Sequence, residues 1–150
     1  MSNDSFNDLV KAYYSTTYRI IKPRIELKPG RICHELDQFL EENGIDKWAV
    51  ITAFNPNSRH QNDKLNDRAT RRLKKRLDEG GKKYRNLVAE ADPDSPWPPE
   101  YGFFTEVSSL QEAVELAEDF GQKAIVYGER GVLPSIVWTA LQDHSEHVHR

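Results

Sequence analysis

The stretch Trp48-Ala-Val-Ile-Thr-Ala-Phe-Asn-Pro56 is the segment from which the fold is most readily inferred. Its apolar run shows no polar alternation, which predicts a strand buried on both faces. The run ends in polar Asn55 and turn-forming Pro56, and a long basic helical pattern follows. The sequence therefore predicts a strand that leads through a loop into a helix N-terminus, where ligands often bind. Thr52 and Asn55 place hydrogen-bonding groups near that end of the strand.

Other segments show helix or strand patterns on both sides of this strand. The predicted helices are 32–43, 62–80 and 109–121, and the predicted strands are 18–21, 48–54, 84–91, 101–107, 124–127 and 132–138. Ile32 begins the apolar face of the first helix, and Leu110 begins that of the last. Ser109 and Glu112 match a capping box at the start of the last helix.

The approximate order βαβαββαββ predicts a single α/β domain, with α+β as the alternative class. Strands separated by helices suggest parallel pairs and adjacent strands suggest hairpins, so we expect a mixed β-sheet with about three helices packed on it. Pro134 places the last strand at a sheet edge. The expected organisation is an N-terminal arm or helix at 1–17, the domain at 18–140 and a flexible, histidine-containing tail at 141–150.

Composition narrows the class of protein. The chain has 150 residues and a net charge of −3, which suits one domain and argues against a globally basic nucleic-acid binder. Cys33 is the only cysteine, so a disulfide framework and a cysteine-based zinc site within one chain are excluded. No apolar run approaches the roughly 20 residues that span a bilayer, and no secretory signal is evident. We therefore expect a soluble, cytoplasmic protein without a membrane partner. The tail histidines lack a supporting carboxylate cluster, so no metal site is expected.

The helix predicted at 62–80 belongs to a strongly basic region. Residues 64–85 hold ten Lys or Arg and three acids, a net charge of +7. The apolar arc is predicted to contain Leu65, Ala69, Leu73 and Leu77. The opposite arc carries Arg68, Arg71, Arg72, Lys74 and Lys75. A solvated outer face is the simplest interpretation, and a docking surface for nucleic acid or an acidic partner is the alternative.

Asn66 interrupts the apolar arc of this helix. It lies in the first turn, so its side chain is predicted to point inward near the end of the 48–54 strand. An unpaired buried amide costs on the order of 1–3 kcal/mol, so Asn66 needs partners. The structural interpretation is that Asn66 holds the loop that begins at Asn55.

The loop before this helix contains Arg59 and His60. Backbone N–H groups at a helix N-terminus favour an anion, and Arg59 adds a positive charge there. His60 is a candidate base near Glu100 or Glu106, although a single loop histidine is more often solvent-exposed. Neither GxxxxGKS/T nor GxGxxG occurs, so an ordinary NTPase or Rossmann assignment is unsupported.

Three segments taken together resemble one known family. They are Ile51-Thr-Ala-Phe-Asn-Pro56 with Asn66 ten residues beyond the proline, Trp97-Pro-Pro-Glu100 followed by Gly102-Phe103, and Phe120-Gly-Gln-Lys-Ala-Ile-Val126. Their order and spacing are similar to those of the bacterial domain-of-unknown-function 3293 family, over about residues 18–137. Lys123 departs from the family pattern, which usually has Asn there.

The resemblance implies no activity, and the cofactor, if there is one, is unknown. It does imply that five polar residues belong together: Thr52, Asn55, Asn66, Glu100 and Gln122. Such a group suits recognition of a polar small molecule or a base-like ring, and it forms neither a catalytic triad nor a metal shell. Glu100 is the only candidate general base among them.

Three functional hypotheses follow. The leading one is an intracellular protein that binds a small polar or nucleotide-like ligand at a strand-end pocket. Its predicted binding residues are Thr52, Asn55, Arg59, Asn66, Glu100 and Gln122. The second is a structural or protein-interaction module in which these polar groups only satisfy one another. The third is binding of nucleic acid or an acidic partner through the basic helix.

Overall fold

A computed structural model describes residues 3–55 and 60–140 of the chain. Its elements, in chain order, are α1 (Asn3–Ser15), β1 (Thr17–Ile20), β2 (Ile25–Leu27), α2 (His34–Asn43), β3 (Lys47–Thr52), α3 (Asp63–Glu79), β4 (Tyr84–Glu90), β5 (Glu100–Glu106), α4 (Leu110–Asp119), β6 (Ala124–Glu129) and β7 (Ser135–Trp138). The predicted α/β class, with one sheet and packed helices, is confirmed. The predicted tail, 141–150, lies outside the described residues.

The seven strands form one sheet in the order β2-β1-β4-β5-β3-β6-β7, and every neighbouring pair is antiparallel. The predicted parallel pairs are therefore wrong. Strands joined through α3 or α4 do run parallel to each other, but an antiparallel strand lies between them. In particular, β3 lies between β5 and β6, and β5 lies between β3 and β4. A helical connection therefore predicts that the two strands it joins run in the same direction, but it does not predict that they are neighbours in the sheet.

The two edges of the sheet differ in how well the sequence predicts them. β7 lies at one edge, as Pro134 predicts. β2 forms the other edge and was not predicted, because three residues between two prolines are too short for a strand period to be recognised. The Gly30 N–H, in the turn after β2, donates to the Pro134 carbonyl at 2.7 Å. This bond brings the two ends of the sheet together, so the sheet is curled.

The curled sheet has a hydrophobic core on each face. On one face, α2 packs against Trp48, Val50 and Phe104, and the Trp48 and Phe104 rings stack with centroids 5.0 Å apart. On the other face, α3 and α4 cover Ala49 and Ile51. β3 thus contributes side chains to both cores, as its unbroken apolar run predicts.

The helix faces differ in detail from the prediction. Ile32 is 68% exposed, because α2 begins only at His34. Leu65 is 44% exposed, since α3 turns Asn66 inward together with Ala69, Leu73 and Leu77. Leu110 is also exposed, in the first turn of α4. These three apolar residues lie before or in the first turn of a helix, where the helical period is least informative about the buried face.

The predicted capping box is present at the start of α4. The Ser109 hydroxyl accepts a hydrogen bond from the Glu112 N–H at 3.1 Å, and the Glu112 carboxylate accepts one from the Ser108 N–H at 2.8 Å. Asn62 caps α3 in the same manner, accepting from the Leu65 N–H at 2.9 Å. These caps satisfy backbone donors that have no partner within the helix.

Candidate functional site

The site is built at the end of β3. After Thr52 the chain leaves the sheet, and Asn55 adopts a left-handed conformation with φ of 46°. Asn tolerates this conformation better than most residues. The turn directs the Asn55 N–H to the side-chain oxygen of Asn66, at 2.9 Å. The strand end is therefore held against the first turn of α3.

Asn66 uses all of its hydrogen-bonding capacity. Its Oδ1 accepts from the Asn55 N–H at 2.9 Å and from Gln61 Nε2 at 2.8 Å. Its Nδ2 donates to Asn55 Oδ1 at 3.2 Å and to the Gln61 carbonyl at 3.3 Å. Asn66 is 3% exposed, so these partners replace water. The side chain ties together the two ends of the loop 55–61, and Gln61 is a member of the network that sequence reasoning missed.

Gln122 joins the other side of the strand end to the segment that leads into β6. Its amide nitrogen donates to the carbonyls of Phe54 and Phe120, at 3.0 and 3.1 Å. Its oxygen accepts from the Thr52 hydroxyl at 3.1 Å. Because both N–H groups bond to backbone, the orientation of the Gln122 amide is fixed. The backbone of Gln122 is also held, since Thr139 Oγ1 donates to its carbonyl at 2.8 Å.

Glu100 begins β5, where it pairs with Ala89. Its Oε2 accepts a hydrogen bond from Asn55 Nδ2 at 3.3 Å, the only bond to this carboxylate among the described residues. Burial raises the pKa of Glu100 above its ordinary value, and the Asn55 bond lowers it by a smaller amount. Glu100 is therefore a partly desolvated carboxylate with acceptor capacity left over.

Gly102 permits β3 and β5 to approach closely at this site. A Cβ at this position would lie 2.6 Å from the Ile51 carbonyl oxygen and 2.6 Å from Thr52 Cγ2. Only glycine fits without displacing β3. The close pairing of Gly102 with Thr52, the last residue of β3, sets Glu100 two residues beyond the end of that strand, within reach of Asn55.

A cavity of about 390 Å³ opens beside these groups. Thr52, Asn55, Glu100 and Gln122 line it, whereas Asn66 lies behind Asn55 and does not. The volume lies within the roughly 300–1,000 Å³ of small-molecule sites. The structure thus brings five of the predicted site residues into one connected region and divides them into four that line the cavity and one that supports them.

Four aromatic residues contribute to the cavity wall. They are Tyr13 from α1, Tyr18 from β1, Phe54 after β3, and Trp97 in the proline-rich segment before β5. Burial and the nearby Glu100 carboxylate raise the pKa of Tyr13 to about 12, and burial together with Tyr13 and Glu100 raises the pKa of Tyr18 further. Both phenols are therefore uncharged at neutral pH. The sequence does not bring these four residues together, because they come from separate parts of the chain.

Two other predicted candidates are not part of this arrangement. Arg59 lies outside the described residues. His60 is exposed, and among the described residues it makes no hydrogen bond to Glu100 or Glu106, which lie at opposite ends of β5. Lys123, the departure from the resembled pattern, lines the cavity.

The basic surface of α3 is partly neutralised within its own helix. Lys74 pairs with Asp78 at 3.2 Å and Lys75 with Glu79 at 4.0 Å, both one turn apart. Arg68, Arg71 and Arg72 are exposed and form no ion pair within the described residues. These three arginines are the part of the predicted docking surface that retains its charge.

Comparison with known families gives one match. The profile of a family described as "Protein of unknown function (DUF3293)" matches residues 51–125, half of the chain. The chain belongs to this family. The matched segment contains Thr52, Asn55, Asn66, Glu100 and Gln122, but neither Tyr13 nor Tyr18. Searches of curated proteins and of solved structures found no match.

Two further observations concern partners. None of the helices in residues 3–55 and 60–140 has the length and apolar character that a bilayer crossing requires. Within the same ranges, no group of three or more His, Cys, Asp or Glu side chains is arranged to hold a metal ion.

Replacing Thr52 with Val tests the bond between the strand end and Gln122. The change keeps the side-chain shape and removes one hydroxyl, so we expect a loss of about 1 kcal/mol in unfolding free energy. Thr70→Val is the matched control, because the Thr70 hydroxyl donates only to the Asn66 carbonyl within α3, at 2.8 Å. Urea denaturation of both variants measures the difference. Equal effects of the two changes would contradict a special role for the Thr52 bond.

Proposed function

We propose that the protein binds a small polar, nucleotide-like ligand in the cavity beside the end of β3. The observation that carries the proposal is that some of the polar residues line the cavity while another, buried behind them, holds them in place. Thr52, Asn55, Glu100 and Gln122 line the cavity. Asn66, which is buried behind them, holds Asn55 in place through two hydrogen bonds. A supported set of polar groups in an aromatic-walled cavity is typical of a small-molecule site.

The competing interpretation, a purely structural cluster, accounts for Asn66 but not for Glu100. All four hydrogen-bonding positions of the Asn66 side chain are used by protein partners. Glu100 has a single partner among the described residues, although burial raises its pKa. A desolvated carboxylate with one hydrogen bond is costly to the fold. This cost is expected where a ligand later supplies the missing donors.

The polar groups that line the cavity can bind a ligand, but they do not indicate a specific reaction. Glu100 is the only candidate base among the cavity residues that sequence reasoning selected. A raised pKa suits a carboxylate that takes up a proton. Turnover of a bound ligand would therefore depend on Glu100. We propose binding alone and no reaction. The single cysteine leaves no disulfide within the chain, which supports a cytoplasmic location for the protein.

A thermal-shift screen of nucleobases, nucleosides and polar metabolites tests the proposed function. A ligand that binds only the native state raises the melting temperature. We expect at least one compound to stabilise the wild-type protein and the Glu106→Gln variant, but not Glu100→Gln. Glu106 lies at the opposite end of β5 and makes a suitable control. Failure of every compound, or equal stabilisation of all three proteins, would contradict the proposal.

The second candidate function is binding of nucleic acid or an acidic partner through α3. It is supported by Arg68, Arg71 and Arg72, whose charges are exposed on one helix and unpaired within the described residues. Phosphate contacts by these arginines predict that affinity falls steeply with salt. Binding of a DNA or RNA oligonucleotide at 50 and 200 mM salt is the test. An affinity that does not change with salt, or with Arg71→Ala, would exclude this candidate.

The raised pKa of Glu100 predicts a pH dependence of stability. The folded state holds this proton to a higher pH than the unfolded state does. The stability contributed by Glu100 is therefore present below the ordinary pKa of 4.5 and is lost as pH rises through the folded pKa. We expect wild type to lose stability relative to Glu100→Gln between pH 4 and pH 8. Chemical denaturation at both pH values measures this, and a relative gain by wild type would contradict it.

A further inference from the structure

The hydrogen bonds made by Thr52, Asn55, Glu100 and Gln122 leave mostly acceptors available on these four residues. The Thr52 O–H and both N–H groups of Gln122 are already donated to protein atoms. Asn55 Oδ1 accepts two bonds, from Gln61 N and Asn66 Nδ2. Asn55 Nδ2 donates one N–H to Glu100, so among the described residues its second N–H remains as a donor. The acceptors that remain are the Glu100 carboxylate, with one bond to it, and lone pairs on Thr52 Oγ1 and Gln122 Oε1.

The acceptors left on these four residues favour a ligand that presents hydrogen-bond donors to them. A buried carboxylate is best satisfied by two parallel N–H groups, because both of its oxygens are then bonded at once. The Asn55 bond occupies one position on Oε2, which leaves Oε1 and the second lone pair of Oε2 for a ligand. A ligand with acceptors in these positions would instead leave Glu100 unpaired, which costs affinity.

The cavity walls favour a flat ring. Tyr13, Tyr18, Phe54 and Trp97 line the cavity, and both phenols stay uncharged at neutral pH. Aromatic faces stack on planar heterocycles, and they also attract cations. A planar group with N–H donors on one edge therefore satisfies the walls and Glu100 together.

The charges of the lining disfavour a phosphate beside Glu100. Asp8, Asp92 and Glu100 contribute three carboxylates, and Lys11 and Lys123 contribute two ammonium groups. An anionic group placed near Glu100 would be repelled by the carboxylate, and more strongly where water is excluded. A base, a nucleoside or a cation fits this balance better than a nucleotide does.

On the proposed function, we infer that the ligand presents two adjacent N–H donors on a planar edge to the Glu100 carboxylate. The N1–H and exocyclic amino group of guanine have this arrangement, and so does an amidinium group. The ring or its substituent lies between the aromatic walls. Asn55 holds the carboxylate in position by donating one N–H to it. The second side-chain N–H of Asn55 makes no hydrogen bond to the described residues, so a ligand acceptor can use it. The site is thus selective for guanine-like or amidine-like compounds without a phosphate close to the recognised edge.

Isothermal titration with four probes tests this inference: guanosine, inosine, guanosine monophosphate and benzamidine. Inosine lacks the amino group of guanosine, so the bidentate contact is lost. We expect guanosine to bind about 10- to 100-fold more tightly than inosine, the discrimination typical of one bidentate pair. The monophosphate is expected to bind no more tightly than guanosine. Benzamidine distinguishes recognition of a cationic amidine from recognition of a neutral base.

The variants Glu100→Gln and Glu106→Gln complete the test. The first is expected to abolish the preference for guanosine over inosine and the binding of benzamidine, and the second to leave both intact. Absence of binding by both guanosine and benzamidine to wild type would overturn the inference. If an anionic or acceptor-rich compound then binds the cavity, the proposed function stands without the inferred specificity. If no compound of any class binds, the proposed function fails as well.

Discussion

Replacing Asn66 with Ala is expected to destabilise the protein by about 3 kcal/mol, near the upper end of the cost of orphaned buried polar groups. The change removes four hydrogen bonds at a residue that is 3% exposed. It leaves the Asn55 N–H and the Gln61 side chain without their partner, and it unties the two ends of the loop 55–61. Urea denaturation measures the loss.

Asn86→Ala is the matched control for this experiment. Asn86 is an exposed residue of β4, and its replacement is expected to change stability by less than about 0.5 kcal/mol. If Asn66→Ala behaves like this control, the hydrogen-bonded network around Asn66 does not hold the strand end. Any loss of ligand affinity in Asn66→Ala is expected to follow from displacement of Asn55, because Asn66 does not line the cavity.

Replacing Glu100 with Gln is expected to weaken ligand binding at least tenfold while leaving the fold at least as stable as wild type at neutral pH. Loss of the carboxylate removes a charged acceptor, and hydrogen bonds to charged groups contribute about 1.5–3 kcal/mol. Stability is retained because Gln keeps an oxygen that accepts from Asn55 and removes a partly buried charge. Calorimetric titration and denaturation of the same sample measure the two effects separately.

The two measurements on Glu100→Gln distinguish a ligand site from a structural cluster. Glu106→Gln, at the other end of β5, is expected to change neither affinity nor stability appreciably. A Glu100→Gln variant that unfolds several degrees below wild type and still binds the ligand normally would show that the carboxylate serves the fold. Such a result would remove the main support for the proposed site.

Part of this fold could be predicted because its signals are local. The unbroken apolar run of β3 and the helical period of α3 each lie within one segment, and they place Asn66 inward beside the strand end. The capping box is likewise local, because Ser109 and Glu112 lie three residues apart. The proximity of Asn55 and Asn66 follows from a short connection between two recognisable elements.

The rest depends on pairing between distant segments. The pattern of apolar residues predicts that β3, β5 and β6 are strands, but it does not show that β3 lies between the other two. That strand order is what places Gln122, just before β6, beside Thr52. The resemblance to a known family grouped Glu100 and Gln122 with the strand end, and periodicity alone did not.

The cavity wall was the least predictable part of the site. Tyr13 and Trp97 come from segments that are far apart in the sequence, and no local motif marks either as a wall residue. Their positions depend on where α1 and the proline-rich segment lie in the folded chain, beside the cavity. Gln61 was missed for a different reason, since its role depends on the left-handed turn at Asn55.

An NMR titration of side-chain amide signals tests most directly whether the cavity at the end of β3 is a ligand site. The probe is the best compound from the thermal-shift screen. We expect the Asn55 and Gln122 NH₂ signals to shift in saturable fashion, because both residues line the cavity, and the exposed Asn86 NH₂ signal to stay unchanged. Saturable shifts confined to α3, with the Asn55 and Gln122 signals unchanged, would contradict a ligand site at the end of β3.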